Sequence, residues 1–176
     1  AEIIDLGAES TKPDVNEKSS SEICKILVPY LEVFSEIFKE NTFPIHVDVS
    51  IDTYHADVVS KALSYPFVTI ITDVYGIELK EIIRLIAGTS VKYIFMHNLG
   101  KAGQRYLPQK HSIIQYLINF ARGKINDLQL QGIDKSQMIF DVGIGFGKNP
   151  FQVKLILSEI EKIKKSVNIP LLVGHS

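Results

Sequence analysis

Two carboxylates stand at the ends of short apolar runs in this chain. Asp52 closes the run SID, and Asp141 closes the run MIFD, each just before a loop. A carboxylate offers two acceptor oxygens side by side, so it can receive a pair of N–H groups from the edge of a flat ligand. Helix capping is the structural alternative for Asp52, and a glycine turn is the alternative for the stretch around Asp141.

Three glycines and a lysine follow Asp141 in the stretch FDVGIGFGK, residues 140–148. The glycines alternate with single residues, and no Ser or Thr follows Lys148. This spacing is that of neither a Walker loop nor a GxGxxG dinucleotide fingerprint. Closely spaced glycines permit positive φ and let a flat ligand approach the backbone. The stretch therefore favours a planar donor edge over a phosphate.

Polar side chains recur at the ends of five apolar runs, which read IIDLGAESTKP, SIDTYH, IITDVYG, FMHNLG and FDVGIGFGK. Polar groups at the carboxyl ends of successive parallel strands converge on one face, where barrel enzymes build their sites. Asp48 lies on the same strand face as Asp52, and both need hydrogen-bond or ligand partners if they are buried. For His97 a hydrogen-bonded structural role is favoured, because the histidines show no HxH or HExxH spacing.

The elements that position these residues alternate between strand and helix. Six β-rich runs cover residues 2–6, 45–51, 68–73, 92–97, 138–142 and 171–174. Helical patterns cover residues 20–39, 56–64, 79–87, 112–131 and 150–165. Ser19 and Glu22 predict a capping box at the first helix, and Pro29 is expected to bend this helix or shorten its first part. The alternation predicts a parallel sheet covered by helices, either doubly wound or a (β/α)8 barrel.

The composition bounds the possible partners and locations. The chain has 176 residues, 45% of them hydrophobic, and 19 basic against 20 acidic residues, which argues against nucleic acid or an anionic membrane as a partner. Its single cysteine, Cys24, excludes an internal disulfide and a cysteine-based metal site. No run reaches the roughly 18 apolar residues of a membrane span, so we expect a cytoplasmic protein. A strand-like start without Met indicates a segment of a larger polypeptide.

Together these motifs resemble dihydropteroate synthase, the folate-pathway enzyme that sulfonamides target. The matching segments, in the family's order along the whole chain, are IIDLGAESTKP, SIDTYHADVV, IITDVYG, FMHNLG, FDVGIGFGKN and LLVGHS. The resemblance implies a (β/α)8 TIM barrel that condenses a dihydropterin-CH2-pyrophosphate with p-aminobenzoate and releases pyrophosphate, usually with Mg2+. It also implies a homodimer, and a partial pterin-binding barrel domain over residues 1–176 with about six of the eight strands, the second to the seventh.

The same resemblance implies roles for particular residues. Asp52 and Asp141 would be the catalytic carboxylates that hold the aminopyrimidine edge of the pterin. Further pterin contacts are expected from Thr11, Thr72, Val74, Met96, Gly145 and Gly174. The aminobenzoate side is expected to be bordered by Thr11, Lys12, Pro13, Phe146 and Ser176.

The chain also departs from the family pattern. Thr72 stands where the family usually has Asn, and Val142 stands where it usually has Pro. The family's first strand, with its Mg2+-binding asparagine loop, and its last strand have no counterpart here, so the chain alone is expected to be inactive. Two alternative functions are a corrinoid-linked methyltetrahydrofolate methyltransferase, which the STKP loop at residues 10–13 argues against, and a non-catalytic pterin-binding module, which Thr72 favours.

Overall fold

One parallel sheet of six strands organises the computed structural model, which describes residues 2–9, 18–40, 47–75, 80–99 and 112–174. The strands are β1 (Ile3–Gly7), β2 (Asp48–Asp52), β3 (Val68–Asp73), β4 (Lys92–Met96), β5 (Met138–Asp141) and β6 (Leu171–Leu172). Each strand pairs in parallel with the next one along the chain. A doubly wound sheet reverses its strand order at a switch point, whereas this sheet does not. The sheet is therefore a curled part of a (β/α)8 barrel, which decides between the two architectures that the sequence pattern allowed.

Helices fill the connections between the strands. In the ranges given above they are α1 (Ser20–Lys39), α2 (Ala56–Ala62), α3 (Lys80–Ile86), α4 (Ile113–Leu130), α5 (Pro150–Ser158) and α6 (Ile160–Val167). A short 3₁₀ turn, Lys135–Gln137, leads into β5. None of the helices in the described part of the chain combines the length and the apolar character that a bilayer crossing requires.

Capping groups fix where the two best-marked helices begin. At α1 the Ser19 hydroxyl accepts the Glu22 N–H while the Glu22 carboxylate accepts the Ser19 N–H at 2.9 Å, so the predicted capping box is confirmed. At α5 Asn149 and Gln152 make the same reciprocal pair. Pro150 occupies the first turn of α5, where its missing N–H costs nothing.

The predicted boundaries differ from the structure in two helices. Pro29 was expected to bend α1 or shorten its first part, yet the helix runs unbroken from Ser20 to Lys39. The single helix predicted over residues 150–165 is two helices, because Glu159 leaves the helical backbone with φ of −111°. This break gives α6 its own buried side, formed by Ile163 and Val167.

Alternate residues of each strand face two different surroundings. In β2, Val49 and Ile51 join the apolar core between the sheet and the helices. Asp48, Ser50 and Asp52 consequently lie on the other face, the inner face of the curled sheet. Asp48 accepts a hydrogen bond from the Thr69 hydroxyl at 2.7 Å, which is the partner that its burial required. The inner face is thus polar along β2, and the candidate site lies at its carboxyl-terminal rim.

Candidate functional site

Strand register brings the predicted site residues to one rim of the sheet. Asp52 at the end of β2 is paired with Thr72 on β3. Met96 at the end of β4 is paired with Asp141 at the end of β5. Because the strands are parallel, all four residues lie near the carboxyl-terminal edge of the sheet. The alternation of side chains along each strand places them on the inner face.

Like charges surround the carboxyl group of Asp52. Burial raises its pKa to about 7, and the neighbouring carboxylates of Asp5, Asp73 and Glu9 add to the increase. At neutral pH this group therefore exchanges between the neutral and the ionised form. A ligand that donates N–H groups stabilises the ionised form and lowers this pKa when it binds.

A pair of hydroxyls lies on the inner face beside Asp52. The Ser50 and Thr72 oxygens are 2.7 Å apart, and either hydroxyl can be the donor. Ser50 also hydrogen-bonds the Asp5 carboxyl, whose pKa desolvation raises and this bond partly lowers. Thr72 is almost fully buried. Its hydroxyl is thus already part of a hydrogen-bonded row that runs across β1, β2 and β3.

Asp73 supplies a carboxylate from behind the rim. It has no exposed surface, and it accepts hydrogen bonds from the Tyr93 hydroxyl at 2.9 Å and from the Tyr75 N–H at 3.0 Å. These bonds compensate for part of its desolvation. Asp73 therefore acts on Asp52 through its charge, while its own oxygens are held by the protein.

Glu9, just after β1, lies beside the loop that follows β2. The Tyr54 hydroxyl donates to Glu9 Oε1 at 3.2 Å, and His55 Nε2 lies 3.6 Å from Glu9 Oε2. Tyr54 also packs against His55 and against the ring of Tyr75, with centroid distances of 4.3 and 4.5 Å. This cluster joins the ends of β1, β2 and β3 next to Asp52.

Asp141 begins a turn built from positive-φ glycines. Its Oδ1 accepts the Gly143 N–H at 2.7 Å, and Gly143, Gly145 and Gly147 have φ of 66°, 87° and 71°. A side chain on Gly143 would overlap the backbone carbonyl oxygen of His97. The alternating glycines are thus required by the backbone path, because residues with a Cβ rarely adopt this conformation.

Lys148 lies beneath this turn with only 5% of its surface exposed. Its ammonium donates to three backbone carbonyls, those of His97 at 3.0 Å, Gly143 at 2.7 Å and Phe146 at 3.0 Å. Burial lowers the pKa of Lys148 to about 8, and the nearby Asp141 raises it in part. In turn, burial raises the pKa of Asp141, whereas the Gly143 N–H and the Lys148 charge lower it.

His97 is a buried structural residue, as the sequence favoured. Its ring packs edge-on against Tyr116 and Phe120 and has 1% of its surface exposed. Burial, together with the charge of Lys148, lowers its pKa to about 3, so the ring is neutral at neutral pH. Its Nδ1 has no hydrogen-bond partner in the described part of the chain, so the expected hydrogen bond is absent at that atom.

The other predicted residues fall into two groups. Val74 follows β3 and accepts a hydrogen bond from Asn98 at 3.0 Å through its carbonyl, while the partly buried Gly145 and Phe146 lie in the turn after β5. Gly174 is exposed just beyond β6. The remaining predictions concern residues outside the described ranges, namely Thr11, Lys12, Pro13 and Ser176.

Sequence reasoning did not assign roles to Glu9, Asp73 and Lys148. Asp73 had a signal, since it directly follows Thr72 at a strand end, but the alternation places it on the outer face, and its partner Tyr93 is 20 residues away. In the sequence, Lys148 can be compared only with the phosphate-binding lysine of a nucleotide loop. Its contacts with backbone carbonyls form only in the folded turn, so the spacing of residues in the sequence does not predict them.

A metal site is not formed by the described residues. No group of three or more His, Cys, Asp or Glu side chains within those ranges is arranged to hold a metal ion. The three carboxylates around Asp52 instead accept hydrogen bonds from hydroxyl groups: Asp5 from Ser50, Glu9 from Tyr54 and Asp73 from Tyr93. What the rim offers chemically is two partly buried carboxylates, a hydroxyl pair and a glycine turn, a set that suits a flat ligand rich in N–H donors.

The fold and the rim define a class of protein, a parallel (β/α)8-type barrel with a polar small-molecule site at the carboxyl ends of its strands. A family model described as pterin binding enzyme matches residues 1–176. The chain belongs to this family of pterin-binding enzymes.

Named relatives agree with this assignment. The folate synthesis bifunctional protein of Chlamydia muridarum is 32% identical over all of this chain and 39% of its own length. The dihydropteroate synthase of Clostridium beijerinckii is 30% identical over all of this chain and 60% of its own length. The chain therefore spans less than two thirds of the length of these relatives.

Solved structures show the same fold. The dihydropteroate synthase of Anaplasma phagocytophilum, with bound 6-hydroxymethylpterin-monophosphate, matches with a TM-score of 0.85 at 34% identity over 99% of this chain and 68% of that one. The enzyme of Clostridium difficile in the presence of pteroic acid gives a TM-score of 0.81 at 30% identity over all of this chain and 62% of that one. The prediction of an incomplete TIM barrel related to dihydropteroate synthase is confirmed.

Proposed function

We propose that residues 1–176 are part of the barrel domain of a dihydropteroate synthase. The intact enzyme would join (7,8-dihydropterin-6-yl)methyl diphosphate to 4-aminobenzoate, giving 7,8-dihydropteroate and diphosphate in folate biosynthesis. The names of the relatives support the reaction, and the bound pterin compound of the Anaplasma phagocytophilum structure supports the ligand class.

The observation that carries the proposal is the placement of Asp52 and Asp141 at one rim with raised pKa values. A pterin presents a flat aminopyrimidine edge with adjacent N–H groups. Each carboxylate can accept two such hydrogen bonds, and partial burial strengthens them. The ligand would supply the partners that the protein itself withholds from Asp52.

The proposed chemistry needs positioning and charge stabilisation more than proton transfer. The C–O bond to diphosphate breaks first, and the amine nitrogen of 4-aminobenzoate then bonds to the pterin methylene carbon and loses a proton to solvent. Positive charge builds on the methylene carbon in between. Ionised Asp52 and Asp141 would hold the ring in line and stabilise that charge.

The remaining assignments are part of the same proposal. Thr11, Thr72, Val74, Met96, Gly145 and Gly174 would contact the pterin, and Thr11, Lys12, Pro13, Phe146 and Ser176 would border 4-aminobenzoate. The intact protein would be a cytoplasmic homodimer that uses Mg2+. Because the described residues provide no ligand set for Mg2+, no step is assigned to the ion.

A binding experiment on the intact protein tests the site. Calorimetric titration with a pterin should show a loss of roughly 30- to 100-fold in affinity for Asp141→Asn and for Asp52→Asn, since each loses a charge-assisted pair of hydrogen bonds. Asp127→Asn, an exposed aspartate of α4, is the matched control and should bind normally. Unchanged affinity in both site variants would contradict the proposal.

Two assays test the reaction. Product formation from both substrates should occur with the intact protein, whereas residues 1–176 alone should be inactive; turnover by the short chain close to that of the intact enzyme would refute this expectation. A sulfonamide should compete with 4-aminobenzoate. Methyl transfer from methyltetrahydrofolate to a corrinoid, without sulfonamide competition, would instead favour the methyltransferase.

A further inference from the structure

The ammonium of Lys148 has no hydrogen left for a ligand. A protonated lysine has three N–H donors, and all three are directed at backbone carbonyls, those of His97, Gly143 and Phe146. The side chain is also almost completely buried. The lysine of the glycine-rich stretch therefore cannot bind a phosphate in this arrangement, in contrast to its counterparts in nucleotide loops.

The three carbonyls belong to two different segments. His97 directly follows β4, whereas Gly143 and Phe146 lie in the turn after β5. One nitrogen thus connects the ends of two neighbouring strands and closes the turn that contains Gly145. The Gly143 carbonyl also accepts the Phe146 N–H at 3.2 Å, which lies within the turn, so the ammonium supplies the contact between the turn and the His97 carbonyl. Because a buried carbonyl without a partner is costly, removal of the ammonium would loosen the turn from β4.

The charge of Lys148 also reaches Asp141. It counteracts the burial that raises the pKa of Asp141, together with the hydrogen bond from the Gly143 N–H at 2.7 Å. That N–H belongs to the same residue whose carbonyl accepts from Lys148. The lysine therefore acts on the carboxylate in two ways, through its charge and through Gly143, whose two flanking peptide units carry that carbonyl and that N–H.

We propose that Lys148 is a positioning residue of the rim, which holds the turn after β5 against β4 and stabilises the ionised form of Asp141 without contacting the ligand. The inference deepens the proposed function, since it takes Asp141 as a pterin-binding carboxylate. Among the described residues, the titratable groups that face Lys148 are Asp141 and His97, and His97 is neutral at neutral pH. On the adjoining strands, the register partners of Asp141 are Met96 and Leu172, which carry no charge.

The first experiment follows the carboxyl carbon of Asp141 by 13C NMR in the ligand-free intact protein, with Asp141→Asn used to assign the resonance. Lys148→Met should move the ionisation of Asp141 to higher pH by about one pH unit, because the opposite charge and the contact that holds Gly143 in place are both lost. Lys148→Arg, which keeps the charge, should leave the midpoint close to that of the wild type. Lys154→Met, on the exposed side of α5, is the control for removal of a nearby lysine and should change nothing. An unchanged midpoint in folded Lys148→Met overturns the proposal.

The second experiment needs no substitution and applies if Lys148→Met does not fold. In the wild type, the Asp141 resonance is followed from about pH 6 to 9.5. Loss of the Lys148 proton, with a midpoint near its pKa of about 8, should produce a second inflection of this resonance. The titration is extended until the 13Cε resonance of Lys148 shows that its proton is lost, and an Asp141 resonance that stays flat through that point overturns the proposal.

The third experiment measures pterin affinity and separates the two proposals. Folded Lys148→Met should bind at least about tenfold more weakly at pH 7, because the turn that carries Asp141 is loosened and the ionised form of Asp141 is less stable. Lys148→Arg should restore more of the affinity than Met does. If the wild type binds no pterin, the proposed function fails, while the NMR midpoints still decide the role of Lys148 towards Asp141. Normal pterin affinity in folded Lys148→Met refutes the positioning role alone.

Discussion

The two carboxylates at the rim lie in opposite electrostatic surroundings. On the side formed by β1, β2 and β3, Asp52 faces the acidic groups Asp5, Asp73 and Glu9, and its pKa rises to about 7. On the side formed by β4 and β5, Asp141 faces the ammonium of Lys148 and the N–H of Gly143. The same residue type at equivalent strand ends is therefore partly compensated by the protein on one side and surrounded by further like charges on the other.

This difference separates stability from binding within one site. The Asp141 side offsets part of the desolvation cost of its carboxylate and fixes a turn, so its loss should damage the folded protein. The Asp52 side concentrates like charges that the fold tolerates at a cost, so its removal should relieve strain while it weakens ligand binding. Sites that bind ligands strongly are often the places where a protein gives up stability in this way.

The largest expected effect concerns the Asp141 side of the rim, in the turn after β5. Gly143→Ala should lower the free energy of unfolding by roughly 3 kcal/mol or more, because the new methyl group overlaps the carbonyl of His97 in a positive-φ backbone. The same methyl group would lie 3.1 Å from Lys148 Nζ. Urea denaturation of the intact protein measures the change.

A matched glycine serves as the control for Gly143. Gly123→Ala, in the exposed part of α4 with no atom within 4 Å of an added Cβ, should raise the stability by about 0.5–1 kcal/mol. Equal effects at the two glycines would mean that the turn after β5 is not held as described.

The second prediction concerns the Asp52 side, where a substitution should raise the free energy of unfolding instead of lowering it. In the unfolded chain Asp52 ionises near the ordinary pKa of 3.8, whereas in the folded protein it ionises near 7. Between these values the folded state binds more protons, so the free energy of unfolding falls as the pH rises from about 4 to about 7. Asp52→Asn removes this dependence and should stabilise the ligand-free protein by about 2 kcal/mol at pH 8.

The pH series provides the check on Asp52. Thermal or urea unfolding of wild type and Asp52→Asn should give nearly equal stabilities near pH 4 and diverge above it. A variant that is less stable than the wild type at pH 8 would show that Asp52 is compensated by the protein, and the contrast with Asp141 would be lost.

The third prediction isolates the charge behind the rim. Tyr93→Phe removes the 2.9 Å hydrogen bond to fully buried Asp73 and should cost roughly 1.5–2 kcal/mol of stability. Urea denaturation measures the loss. The control is Tyr116→Phe on α4, which keeps the ring contact with His97 and should cost little stability. Equal losses would show that the hydroxyl of Tyr93 is not an important partner of Asp73.

The smallest expected effect concerns the hydroxyl pair. Thr72→Val keeps the shape of the side chain but breaks the 2.7 Å contact with Ser50, so the stability should fall by about 1 kcal/mol. Thr72→Ser should retain most of the bond. If Val and Ser behave alike in thermal unfolding, the hydroxyl contact contributes nothing measurable.

The sequence predicted the framework of the fold well. All six strands were located to within a few residues, because apolar runs that end in polar loops mark buried parallel strands. The capping box at Ser19 was predicted because its partners lie only three residues apart. The break at Glu159 was not predicted, since the apolar spacing continues across it and no Gly or Pro marks it.

The sequence singled out the inward-facing residues of the candidate site but not the residues that support them. Asp52 and Asp141 were identifiable because each is the last residue of a strand, and alternation placed them on one face. The roles of Lys148 and Asp73 depend on contacts with His97 and Tyr93, which are distant in sequence. Such contacts are set by the packing of the folded chain. The periodicity of the sequence does not show which two distant residues will contact each other.

The row formed by Thr72, Ser50 and Asp5 has a consequence for the direction in which hydrogen bonds run. When Asp5 is ionised it only accepts, so Ser50 donates to it and Thr72 donates to Ser50, which leaves the lone pairs of Thr72 open. When Asp5 takes up a proton, the row can reverse, and the Thr72 hydrogen becomes free to point outward. Protonation of Asp5 on β1 thus changes the Thr72 hydroxyl on β3 from an acceptor to a donor towards a ligand, and no heavy atom has to move.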